Sequence, residues 1–153
     1  MSELREMFLD ELTDVFDAEN QLLKALPKMV DAASDEGLQD GFRDHLKETE
    51  AQIDRLKQVF EMLGKAARGQ TCKAMQGLIA EAEELIKEDA GDAALICAAQ
   101  KMEHYEIASY GTLCSWARLL DEEKAVDQKL TELAEDTINI EAAEGEAEEE
   151  EEA

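Results

Sequence analysis

Proline occurs once in this chain, aromatic residues are scarce at 5%, and no apolar run approaches the length of a membrane span. Each shortage excludes something. With one proline and few β-branched runs, nothing opposes helix, and an all-α domain follows. Without aromatics, the core must be filled by Leu, Ile, Met and Ala. Without a long apolar stretch, no crossing helix is expected. Basic residues are also few, 15 against 39 acidic, for a net charge of −24. That balance argues against binding nucleic acid through its phosphates and against docking on an anionic membrane. The three cysteines, Cys72, Cys97 and Cys114, form no C-x-x-C pair. They suggest reduced, core-lining thiols rather than a disulfide framework or a zinc site. The start M-S-E-L-R-E lacks a basic segment followed by an apolar run, so a cytoplasmic location is expected.

What is present is helical periodicity. A first helix is predicted from about Ser2 to Ala33, with Phe8, Leu12, Val15, Glu19, Leu22, Leu26 and Met29 on one stripe and a kink at Pro27. The run S-D-E-G-L-Q-D-G breaks it and offers Asp40 as an N-cap. A second helix then reaches Leu63, burying Phe42, Leu46, Thr49, Ile53, Leu56, Phe60 and Leu63, with Gly64 at its C-terminal end. His45, Glu48 and Gln52 form a polar ridge along the edge of that stripe. A shorter third helix, Cys72 to about Glu88, buries Cys72, Met75, Ile79, Ala82 and Ile86 and leaves Glu81 and Glu84 to solvent. A fourth helix, capped at Asp92, carries Ala99, Glu103, Glu106, Tyr110, Leu113, Ala117 and Leu120 on one stripe. A new stripe follows: Leu119, Glu123, Val126, Leu130, Leu133 and Thr137. From Glu141 to Ala153 the chain carries eight glutamates, a like-charge run expected to be disordered and to leave about −16 on residues 1–140. Such acidity suits plain solubility or a cytoplasm of high salt.

Glutamates at core slots carry the chemistry. Glu19, Glu48 with His45, Glu103 with Glu106, and Glu123 arise on four different helices. A buried carboxylate is protonated, paired with a cation or bound to a metal. One glutamate on an amphipathic stripe usually snorkels or pairs with lysine, but repetition on four helices favours a shared site for two iron or manganese ions. His104 lies on another face from Glu103 and reads as structural. Tyr110, one turn beyond Glu106, is either a partner for a ligating carboxylate or a core tyrosine with its hydroxyl at the bundle edge.

The runs A-E-N-Q-L-L-K-A-L-P-K-M, H-L-K-E-T-E-A-Q-I-D-R-L and, above all, Q-K-M-E-H-Y-E-I-A-S-Y-G-T-L resemble the YciE/YciF family of ferritin-like stress proteins. So do C-K-A-M-Q-G-L-I-A-E-A and the closing D-E-E-K-A-V-D-Q-K-L-T-E-L-A, and the resemblance extends over about Leu4 to Ala134. It implies a ferritin-like four-helix bundle in which the short third helix is the crossover, a di-metal site, and a place in stress responses. It implies no defined reaction. The chain departs from the family pattern where Leu120 runs straight into Asp121, Glu122, Glu123 and Lys124, so that about four turns of the fifth helix are missing.

Two functional readings follow. In one, Glu19, Glu48, Glu103, Glu106, His45 and Glu123 bind iron or manganese for a protective redox role toward dioxygen or peroxide. In the other, the bundle is non-catalytic and metal-free, its inner glutamates protonated or hydrogen-bonded to Tyr110, Gln52 and His45. Glu103 precedes Asp121 by roughly 27 Å of helix, which would keep Glu123 from the Glu103 level within one chain. The Val126, Leu130 and Leu133 stripe is then expected to pack on a second copy, giving a homo-oligomer, a dimer in the simplest case.

Overall fold

A computed structural model describes residues 3–120 and 129–132. Four α-helices account for nearly all of them: α1 (Glu3–Ala32), α2 (Glu36–Met62), α3 (Lys73–Lys87) and α4 (Asp92–Leu119). There is no strand among the described residues. No helix among them is long and apolar enough to cross a membrane.

Helix α1 is the axis of the fold, packing on each of the other three. Its predicted stripe, Phe8, Leu12, Val15, Glu19, Leu22, Leu26 and Met29, is buried throughout. It continues past Pro27, which faces solvent. The core divides at Glu19. One cluster gathers Phe8, Leu12, Leu56, Phe60, Leu113 and Ala117, and the other Leu22, Leu26, Met29, Met75, Leu95 and Met102. The carboxylates of α1 and α4 thus lie between two apolar halves.

Three local expectations are corrected. Helix α2 starts five residues earlier than an Asp40 cap would allow, because the Asp35 side chain accepts from Leu38 N at 2.9 Å and both glycines of the turn run are absorbed. The residue before α4 is Gly91, not Asp92. The Asp92 carboxylate instead accepts from the backbone of Ser34 and Asp35, each at 2.8 Å, tying the α1–α2 turn to the start of α4. On α3 only Met75 and Ala82 are buried, while Ile79 and Ile86 are half-covered, since the short helix lies on the outside of the bundle. Cys72 is its N-cap. Glu81 and Glu84 face solvent as expected.

The end of α2 follows the sequence. Gly64 takes φ +67°, Gly64 N bonds Glu61 O, and Lys65 N bonds Phe60 O, closing a Schellman turn.

Of the predicted fifth stripe, residues 129–132 are helical and Leu130 is fully buried among Phe8, Leu12, Leu113 and Ala117 of its own chain. This corrects the expectation that Leu130 reaches a second copy. A place in the chain's own core supplies the same burial, roughly 2 kcal/mol, without the entropy loss of association. Glu123, Val126 and Leu133 lie outside the described residues, as does the acidic tail.

Candidate metal centre

Three carboxylates and an imidazole meet between the two halves of the core. Glu19 of α1 is 0% exposed, Glu106 and Glu103 of α4 are 1% and 6%, and His45 of α2 is 7%. His45 Nε2 lies 3.3 Å from Glu106 Oε1, and its Nδ1 lies 3.7 Å from Glu103 Oε1. The spacing of Glu103 and Glu106, three residues apart, presents both to the face of α2 that carries His45. Thr49, one turn on, is turned back to the His45 carbonyl at 2.8 Å. The edge ridge expected on α2 is in fact rotated inward: His45 and Gln52 are buried and Leu46 is only half-covered. Helix α1 packs along this side of α2, and the burial of Val59, which the stripe had not included, marks the same rotation.

Burial pushes the Glu19 carboxyl well above its ordinary range. The neighbouring Glu106 charge and a hydrogen bond shared with Glu106 push the same way, against a smaller opposing contribution from Tyr110. Burial and Glu106 together thus favour the protonated form of Glu19. Tyr110 is raised by burial first and then by Glu19 and Glu106, with Arg55 acting in the opposite direction. Its hydroxyl lies inside the centre rather than at the bundle edge, beside Glu19 but without a well-formed hydrogen bond. Glu48 is half-buried on the flank of α2. His104 is exposed and its Nδ1 bonds Gln100 O at 2.8 Å, the structural role expected of it.

In kind, these donors fit iron or manganese: hard carboxylate oxygens with one imidazole, drawn from three helices. In spacing, no three His, Cys, Asp or Glu side chains among the described residues stand close enough to enclose an ion, the His45 ring being wedged against two of the carboxylates.

A second polar cluster, which the sequence reading did not single out, joins α1, α3 and α4. Tyr105 donates its hydroxyl hydrogen to Asp14 Oδ2. Cys72 Sγ lies 3.1 Å from the same hydroxyl and accepts from Met75 N at 3.4 Å. Asp17 Oδ2 accepts from Cys72 N at 2.7 Å and from Gln21 Nε2 at 2.6 Å. Burial, above all, pushes both the Cys72 thiol and the Tyr105 phenol up, so both are neutral. The only trace of this cluster in the sequence is the i, i+3, i+7 ridge of Asp14, Asp17 and Gln21 beside the apolar stripe of α1.

Comparison with known proteins agrees with the architecture. The profile of DUF892, described as a domain of unknown function, matches residues 3–143. Protein YciF of Escherichia coli (strain K12) is 44% identical over 160 aligned positions, covering 93% of this chain and 96% of that protein. The crystal structure of the E. coli stress protein YciF superposes with a TM-score of 0.73 over 91% of this chain and 99% of that one. YcfI from Rhodopseudomonas palustris superposes with a TM-score of 0.88, at 40% identity, over 93% of this chain and 92% of that one. With its helical fold, its length and its sequence in agreement, the chain belongs to the DUF892 family of YciF-like proteins.

Proposed function

We propose that this protein is a stress-associated, ferritin-like bundle whose buried centre takes up iron or manganese, ideally as a pair. The observation that carries the reading is the enclosure of Glu19, Glu103 and Glu106 together with only one imidazole, His45, between two apolar halves of the core. Carboxylates gathered in a core are stable only when protonated, paired or neutralised, and divalent ions neutralise two at a time. Glu19, Glu103, Glu106 and His45 are the proposed holders, with Glu48 as a further oxygen donor; Glu123 is set aside, since the run from Glu103 to Asp121 keeps it from this level of the bundle. A bound ion of either kind supplies one-electron exchange with dioxygen or peroxide. The chain's own part is to give up the Glu19 proton on binding, to hold the donors apart from water, and to keep the Tyr110 hydroxyl beside the Glu19 oxygens.

The test is elemental analysis of full-length protein prepared with added iron or manganese, beside Glu103→Ala and Glu106→Gln. At least about one ion per chain in the wild type, lost in both variants and accompanied by proton release on loading, supports the reading. A wild type holding less than about half an ion per chain overturns it.

The seating of His45 against both α4 carboxylates, and the contact of Glu19 with Glu106, favour a second reading: a non-catalytic, metal-free bundle. Its signature is a melting temperature unchanged by EDTA, since no metal-binding free energy then contributes to folding.

A further inference from the structure

The polar cluster beside α3 plays no part in the proposed centre, and its geometry is that of a redox tyrosine. A phenol loses an electron easily only if its proton can leave at the same time, because the protonated radical is a very strong acid. Tyr105 meets that condition. Its hydroxyl hydrogen is already given to the Asp14 carboxylate. A phenol has one hydrogen to donate, so the 3.1 Å contact with Cys72 must have the thiol donating to the phenol oxygen. The oxygen is thus held from both sides, with its hydrogen aimed at a base.

Access is provided as well. Tyr105 lines an open groove of about 820 Å³ between α3 and α4, shared with Lys73, Lys101, His104, Cys97 and Glu81. With the Asp14 carboxylate at the Tyr105 hydroxyl counted beside Lys73, Lys101 and Glu81, the groove is close to charge-balanced on a chain of −24. Elsewhere the acidic surface repels small anions; here the two lysines offset that repulsion. Tyr110, the only other tyrosine, is fully buried and does not line this groove.

We propose that Tyr105 is a one-electron quenching site for small anionic radical oxidants, of which the carbonate radical anion is the model. The radical accepts one electron from the phenol and becomes carbonate, while the phenolic proton passes to Asp14. The products are a neutral Tyr105 phenoxyl radical and a protonated Asp14, which returns its proton to carbonate to give bicarbonate. A one-electron donor of the ascorbate or thiol class, with a proton, then restores the phenol. This chemistry does not depend on a metal in the centre, so it stands or falls separately from the proposed function.

The test is pulse radiolysis of the full-length, chelator-treated chain in bicarbonate, following phenoxyl absorption, with the radical located by electron paramagnetic resonance after freeze-quenching. The wild type and Tyr110→Phe should give equal phenoxyl yields, and Tyr105→Phe should lose most of the signal. Asp14→Asn should slow phenoxyl formation about a hundredfold or more, the lower end of the range for losing a positioned base. Should Tyr105→Phe or Asp14→Asn fail to fold, Tyr110→Phe carrying 3-fluorotyrosine labels Tyr105 alone, and fluorine splitting in the radical spectrum places the radical there. A radical that settles on Trp116, a spectrum without fluorine splitting, an undiminished yield in folded Tyr105→Phe, or an unchanged rate in folded Asp14→Asn overturns the assignment.

Discussion

His45 Nε2 lies 3.3 Å from Glu106 Oε1, a contact between α2 and α4 across 61 residues of sequence with both side chains almost fully buried. The pair closes the polar middle of a core that is otherwise apolar, so its removal should be felt globally. His45→Ala leaves Glu103 and Glu106 without their imidazole, and removing one partner of a buried hydrogen bond costs about 1–3 kcal/mol. Urea denaturation in EDTA should show the midpoint falling by that equivalent, with the m-value unchanged.

Glu19 makes stability depend on pH with a definite sign. Its folded pKa is raised from 4.5, so in metal-free protein the folded state keeps a proton that the unfolded chain releases. The penalty is absent below 4.5 and grows by about 1.4 kcal/mol per pH unit above it, until the folded group itself ionises. Glu19→Gln removes the penalty. In EDTA it should melt higher than wild type at pH 7.5, with the gap closing as the pH falls toward 4.5. A gap that is constant with pH would show that Glu19 has an ordinary carboxyl.

Asp89 sits in the turn that ends α3 with φ +52°, and Ala90 N reaches back to Leu85 O there. That is a left-handed position in which a Cβ is strained. Asp89→Gly should stabilise the chain by about 0.5–1 kcal/mol, read as a rise of a few degrees in melting temperature.

The acidity should make folding salt-dependent. With about −16 on residues 1–140, self-repulsion is strongest at low ionic strength and is screened as salt rises. Melting temperature should climb steadily from 0.05 to 2 M KCl. A flat profile would remove the link to a saline cytoplasm.

Leu119 is 73% exposed, beside half-covered Trp116 and Leu120 and near the buried Leu130 end of the core. A homodimer through this end of the bundle is the proposed assembly. Light scattering at tens of micromolar should give twice the monomer mass, and Leu119→Lys should reduce it to monomer. A full-length wild type that scatters as a monomer would exclude the dimer.

The sequence determined by itself which residues could be inside. A period of 3.6 with so little proline leaves one way to bury Leu, Ile and Met, and the stripes of α1 and α4 followed from spacing alone, Glu19, Glu103, Glu106 and Tyr110 included. Tertiary structure decided what periodicity cannot carry. Which flank of α2 turns inward depends on the neighbour it packs against, and that packing brought His45 between Glu103 and Glu106 and moved Leu46 outward. Caps depend on which backbone amides a side chain can reach, so Asp35 took the place predicted for Asp40, and Asp92 served another turn than its own. The Asp14, Cys72 and Tyr105 cluster was beyond any local pattern, because its members come from three elements separated by 33 to 91 residues and meet only when α3 is laid across α1 and α4.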